Sequence, residues 1–277
     1  MVSVTVYDGG DTIGGNKIFV EDGAGVFLDF GMNFAKHGVF FQEFLSERPG
    51  RGIHDLAHLG LIPKLNIYRT DIIPSDIELS QYAKLNAKAI LLSHAHLDHC
   101  GSMGLLQENL PVVASGISVS ILKAIRDTSS SSNIGSEVSY FSRRNPIDSD
   151  GLVLESEKSA PYVCRDFYCT QEIPNELRAF MSERPGQGPS SKVKRIQPGR
   201  LDHFDQLDLP FEVKAYDVDH SIPGAMAYVL EGDTTIAYTG DFRLHGKRGE
   251  LTKNFIRNAK HASILIIEGT RQAGKSS

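Results

Sequence analysis

The chain predicts an α+β protein, on three observations. It opens with an antiparallel meander of short alternating strands, and a strand hairpin recurs late, around the turn Gly232-Asp233. Between and after these lie segments whose apolar residues recur at helical spacing. At 277 residues the chain is long enough for one large domain or two small ones. Its 40% hydrophobic and 23% charged content is that of an ordinary globular protein. The net charge of -5 gives no general attraction to polyanions, so nucleic-acid binding would need a local basic patch. Three cysteines, Cys100, Cys164 and Cys169, are too few and too odd for a disulfide framework, which fits a reducing, cytoplasmic compartment. No stretch approaches the roughly 20 apolar residues that span a bilayer, and the N-terminus has no signal-peptide pattern.

In order, Val2 to Tyr7, Lys17 to Glu21 and Val26 to Phe30 read as strands, separated by turns at Gly9-Gly10, Gly14-Gly15-Asn16 and Gly23. Phe34 to Leu45 has helical spacing and stops at Arg48-Pro49-Gly50. Residues 51–76 form a long connection, Asp76 to Leu85 a short helix, and Ala89 to Leu92 a buried strand. Ser102 to Glu108 and Ile117 to Arg126 read as helices, with Pro111 to Ala114 a short strand between them. Residues 127–205, rich in Ser, Gly, Pro and charge, read as an elaboration, with one helix near Asn175 to Met181 and a hairpin around Leu152 to Cys169. Phe211 to Val218, Ala225 to Glu231 and Thr234 to Tyr238 are strands, Leu251 to Ala259 a helix, and Ser263 to Ile267 a buried strand. The near-repeat of Phe44–Gly52 in Phe180–Gly188 reads as two helices stopped by the same Pro-Gly terminator.

The chemistry concentrates after the strand Ala89 to Leu92. His94, His96, Asp98 and His99 follow at the spacing His-x-His-x-Asp-His, three imidazoles and a carboxylate within six residues. That mixture suits zinc and related metals, and in a catalytic rather than a purely structural site. Two more ligand-type residues end hydrophobic strands, His220 and Asp241, while Asp29 closes the first meander. Each alone reads as a turn or core residue; at several strand ends together they read as one preorganised site.

In Gly14-Gly15-Asn16, Asp29, the His-x-His-x-Asp-His loop, His220 and Thr239-Gly240-Asp241, the sequence resembles the metallo-β-lactamase superfamily. The details His220-Ser221-Ile222-Pro223, Tyr238 to Arg243 and Ile266-Ile267-Glu268-Gly269-Thr270 are most similar to its β-CASP RNA-processing nucleases. The resemblance implies a four-layer αββα sandwich, two mixed sheets face to face with helices outside, carrying two Zn2+ at one edge. It implies that His94, His96 and His220 bind one metal, that Asp98 and His99 bind the second, and that Asp241 bridges them. Asp29 supports the ligand loop, and Asp98 also orients the attacking water. The activity implied is a zinc-dependent phosphodiesterase cleaving RNA by attack of metal-bound hydroxide. Ser221 and Arg243 are candidate phosphate contacts, and the run Lys192, Lys194, Arg195 and Arg200 could also meet a nucleic-acid backbone.

That family has a further histidine late in the chain, and neither His245 nor His261 fits its place. The 277 residues are therefore expected to be the N-terminal, metallo-β-lactamase-like portion of a longer protein, with a weakened second metal site and weak or no activity alone. The partners expected are RNA ahead of DNA, and a second copy of the chain in a homodimer; a membrane is not expected. The competing readings are a small-molecule hydrolase of the same fold, acting on a thioester, lactone or glyoxalase-type substrate, and a non-catalytic scaffold subunit. Gly269 to Ser276 matches the phosphate-binding pattern Gly-x4-Gly-Lys-Ser, but only Ser277 follows it, so the helix that pattern requires is missing and the match is read as accidental.

Overall fold

Side chains of the N-terminal strands alternate between two apolar clusters, and that alternation builds the layers. In the computed structural model, which describes residues 1–42, 44–129, 133–183 and 194–269, β1 is Ser3–Asp8, β2 Lys17–Asp22, β3 Ala24–Phe30, β4 Ala87–Leu91 and β5 Val112–Ala114. Val26, Leu28, Ala89 and Leu91 face one cluster, while Phe27, Phe30, Ile90 and Leu92 face the other. The five strands form one sheet in sequence order, which Phe167–Cys169 and Leu201–His203 extend in parallel beyond β5. Two strands from within residues 127–205 are thus laid into the main sheet.

Glu212–Asp217, Met226–Glu231, Ile236–Tyr238 and Ile264–Ile266 form a second, four-stranded sheet in that order. Met226, Tyr228, Leu230, Ile236 and Tyr238 turn inward onto Ile18, Val20, Leu28 and Leu91, so the two sheets are packed face to face. On its outer face Ala227, Val229 and Ala237 meet Phe255 of the helix Gly249–Asn258. The outer face of the first sheet is covered by the helix Gly116–Thr128, through Val119 and Leu122, and by the connections around it. The result is the αββα metallo-β-lactamase sandwich expected of the sequence.

Four expected elements differ. Asp76 to Leu85 is not a helix but carries a single turn at Leu79–Gln81, because a bridge between Leu65 and Ala83 draws its end into extended pairing. Ser102 to Glu108 is likewise reduced to the turn Met103–Leu105. The fully buried Arg165 guanidinium takes the carbonyls of Met103, Leu106, Gln107 and Leu110, and the Gln107 amide goes to Ile67 O instead of back along a helix. The helix begun at Phe34 ends at Phe40, and Gln42 and Leu45 then pair with each other. No hairpin forms within 152–169: Leu154–Ser156 pairs with Arg144–Pro146, and Tyr162–Cys164 with Tyr140–Phe141.

Ser263 to Ile267 is a strand in its central residues, but not a buried one, since Ile264, Leu265 and Ile267 are exposed at 38%, 57% and 53%. The match at 269–276, apart from Gly269, and residues 184–188 of the near-repeat lie outside the described residues. Among the described residues no helix is long and apolar enough to cross a membrane.

Candidate metal centre

β4 runs out of the sheet into Ser93, and the chain then turns through His94 and His96 into a one-turn helix, Leu97–Cys100. Asp98 and His99 ride on that turn. Its seat is glycine-lined: the amides of Gly15 and Asn16 donate to Asp98 O at 2.9 and 3.2 Å. A Cβ on Gly31 would stand 1.6 Å from the same carbonyl, and one on Gly14 2.5 Å from the Asp98 Cβ. Gly14-Gly15-Asn16 is thus the bed of the ligand loop.

Asp29 is the hub beneath it. Ile18 pairs with Leu28 but Lys17 with Phe30, which leaves Asp29 as the extra residue of a bulge. It is fully buried, with a φ of 60°, the left-handed region that aspartate and asparagine enter more readily than other side chains. Its Oδ1 accepts from the Ser93 amide at 2.6 Å; its Oδ2 accepts from Ser93 Oγ at 2.6 Å, Tyr238 OH at 2.5 Å and His99 Nδ1 at 2.6 Å. Because the Ser93 hydroxyl is spent on Asp29, its contact to His94 Nδ1 at 3.0 Å requires that imidazole nitrogen to be the donor. His94 and His99 therefore both hold a proton on Nδ1 and aim Nε2 into the site, the arrangement by which outer partners fix a metal-ligating tautomer.

The Nε2 of His94 lies 3.0 Å from His96 Nδ1, and His220 Nε2 lies 3.4 Å from the same atom. His99 Nε2 is 3.4 Å from Asp241 Oδ1, and His220 Nε2 is 3.7 Å from Asp241 Oδ2. Two groups of donors follow, His94 with His96 and His220, and His94 with His99 and Asp241, each with all ligand atoms within 4.8 Å. His94 belongs to both. Asp98, 28% exposed, stands outside these triplets at 3.8 Å from His99 Nε2, on the open side of the second group.

Burial and the neighbouring His99, His220 and His96 hold the His94 imidazole well below its usual pKa, ready to donate a lone pair. Burial also lowers His220, against the pull of Asp241. Burial would lower His99 too, but Asp29 and Asp241 overcome it and raise its pKa to about 10. The same His99 contact holds the Asp241 carboxyl below the usual range despite its burial. Two imidazoles of lowered proton affinity, His94 and His220, beside the Asp241 carboxylate fit a divalent metal, which would displace the proton that Asp29 and Asp241 favour on His99.

Ser221 is exposed, with Oγ 3.4 Å from His220 Nε2. Arg243 is tied by its Nε to Asp219 Oδ1 at 3.1 Å. Of the basic run, Lys194 is spent on Ser142 Oγ and Glu157 O, and Lys192 lies outside the described residues. His261 pairs with Glu231 away from the ligands. Sequence reasoning missed Ser93 and Tyr238 as partners of Asp29, the buried Lys17 that ties Asp8 to Gly15 O at 3.3 Å each, and Asp219. Only the position of Ser93, directly before the motif, hinted at any of them.

A family profile described as the metallo-beta-lactamase superfamily matches residues 67–154, the span that contains the ligand loop. Over that span, about a third of its length, the chain is similar to the metallo-β-lactamase superfamily. Its described residues include two histidine-rich groups that could hold a metal ion. Distant curated relatives include Integrator complex subunit 11 of Danio rerio, 26% identical over 65% of this chain and 24% of that protein. Ribonuclease J of Sinorhizobium meliloti is 26% identical over 78% of this chain and 27% of its own length. The chain thus spans about a quarter of these relatives. A protein of unknown function from Enterococcus faecalis V583 shares the fold at a TM-score of 0.60, with 23% identity over 99% of this chain and 52% of that one.

Proposed function

We propose that this metallo-β-lactamase domain is a zinc-dependent phosphodiesterase that cleaves RNA, and DNA less well. The observation that carries the reading is the pair of ligand groups meeting at His94, with Asp241 beside both. Two adjoining donor sets suit a two-metal centre, and similarity to Ribonuclease J and Integrator subunit 11 directs the chemistry toward phosphodiesters.

His94, His96 and His220 would hold one ion, and His99, Asp241 and Asp98 a second, with His94 beside both. A pair of zinc ions, when bound, supplies Lewis acidity at phosphorus and lowers the pKa of water toward neutrality. The rest is done by the chain. Asp29 and Ser93 keep the Nε2 lone pairs of His94 and His99 free and directed inward. Asp98, the most exposed carboxylate of the set, orients the attacking water and takes its proton. Ser221 and Arg243 flank His220 on the open side, where a phosphate oxygen would lie.

The test is zinc content by elemental analysis, together with cleavage of end-labelled RNA, matched DNA, and a panel of lactones and thioesters. RNA cleavage lost with Asp98→Asn and with a chelator is the expected result. Hydrolysis of a lactone or thioester with no RNA cleavage would replace the reading with a small-molecule hydrolase. A purified protein that takes up no zinc would leave a scaffold.

A further inference from the structure

One loop beside the site carries a charge that the ligand set does not need. Arg243, His245, Lys247 and Arg248 fall within six residues that contain no carboxylate, in a chain whose net charge is -5. With His220 and Ser221 they line an open cleft of about 470 Å³, so the ligand histidine and the basic loop share one wall-to-wall space. Arg248 also lines a second cavity of about 300 Å³, with Gln171, Ser115 and the Asp217 carboxylate, whose charge it partly offsets.

The loop is held there rather than merely near. Asp219, the residue before the ligand His220, is 3% exposed. Its Oδ1 accepts from Arg243 Nε at 3.1 Å, its Oδ2 from the Arg248 amide at 3.1 Å, and its carbonyl from the Arg243 amide at 2.7 Å. The buried Thr252 hydroxyl accepts from the Asp219 amide at 2.9 Å and donates to Arg243 O at 3.1 Å, which closes the frame. A Cβ on Gly246 would fall 1.8 Å from Asp219 Oδ2, so the loop can close around this carboxylate only with glycine there. One buried acid thus fixes both ends of the loop against the metal histidine. Its carboxylate engages the Arg243 side chain through Nε alone and Arg248 through its backbone amide alone. Among the described residues the side chains of Lys247 and Arg248 have no hydrogen-bond or ion-pair partner, and both are exposed.

We infer that the loop Arg243–Arg248 is a phosphate track, which grips the backbone of a single-stranded nucleic acid on one side of the scissile bond. The inference rests on the phosphodiesterase reading and deepens it by assigning where the strand leaves the centre. Two exposed cations and one pinned guanidinium bind phosphates without reading bases, so the track contributes affinity and register but little sequence preference.

The test is fluorescence anisotropy of a labelled, 2′-O-methylated RNA, which resists cleavage, across a series of salt concentrations, with a matched DNA alongside. For Lys247→Ala/Arg248→Ala, the slope of log K against log salt should fall by about 1.4, roughly 0.7 for each lost contact to a single strand. Affinity at low salt should drop by about 10-fold or more, with zinc content and thermal unfolding unchanged. Lys247→Arg/Arg248→Lys should restore both. Lys214→Ala, which removes an exposed cation on the second sheet, should alter neither. If wild-type protein binds and cleaves RNA but the double variant keeps its affinity and slope, the track is wrong and the phosphodiesterase reading stands. If wild-type protein binds neither RNA nor DNA at any salt concentration, both fail together.

Discussion

Oδ2 of Asp29 lies 2.6 Å from Nδ1 of His99, with the carboxylate fully buried and the imidazole 1% exposed. The contact sets the tautomer and supplies the charge that keeps a proton on Nδ1 while Nε2 faces the site. Asp29→Asn tests it cleanly, since asparagine also tolerates the positive φ found here. Loss of the charge should weaken zinc binding by about 10- to 100-fold, the usual cost of removing such an outer partner. Competition with a chromophoric chelator would measure it. Tyr238→Phe, which removes one of the four hydrogen bonds to Asp29, should cost less.

His94 belongs to both donor groups, whereas His96 and His220 belong to one. His94→Ala should therefore strip both metals, and His220→Ala should leave the group of His99 and Asp241 able to hold one. Elemental analysis after dialysis against limiting zinc separates the two outcomes.

Lys17 is fully buried, with Nζ 3.3 Å from Asp8 Oδ2. Burial lowers its pKa to about 8, against the opposing pull of Asp8. An unfolded lysine titrates near 10.4, so between about 8 and about 10 the unfolded chain holds the extra proton and stability rises with pH. That contribution is on the order of 3 kcal/mol. Urea unfolding of wild type and Lys17→Met across this window should show the rise only in the wild type.

Arg165 spends its guanidinium on four main-chain carbonyls, and among the described residues it has no carboxylate partner within hydrogen-bond reach. Arg165→Met should cost about 3 kcal/mol or more by leaving buried carbonyls unpaired, as read from the midpoint of urea unfolding. Arg165→Lys should recover little, because a single ammonium cannot span the fork.

These residues also mark where the sequence was legible. The ligand loop announced itself because four ligand types crowd one strand end, and the alternation of Val26 to Leu28 and Ala89 to Leu92 gave both faces of the sheet. Arg165 was illegible because its partners, residues 103–110, lie far along the chain, and Lys17 because its near neighbours Asp8 and Gly15 meet its ammonium only once the meander folds. The same Arg165 removed the helix expected at Ser102 to Glu108 by competing for its carbonyls. Ser263 to Ile267 was readable as a strand but not as an exposed one, because an apolar run looks the same whether or not anything covers it. The basic loop after Asp241 was passed over as individual residues, since only the fold shows that Asp219 pins it beside His220.

Three cross-sheet hydrogen bonds fall close to the histidines: Tyr238 OH to Asp29, Tyr228 OH to Leu92 O at 2.7 Å, and the Met226 amide to Ser93 O at 2.8 Å. Much of the interior between the layers is hydrocarbon, from side chains such as Ile18, Val20, Leu230 and Ile236. Polar stitching along one margin makes that margin the spine of a book. Slow breathing of the two leaves would pivot about the ligand loops, and the amides of Ser93, Met226 and Tyr238 would be among the last in the molecule to exchange with solvent.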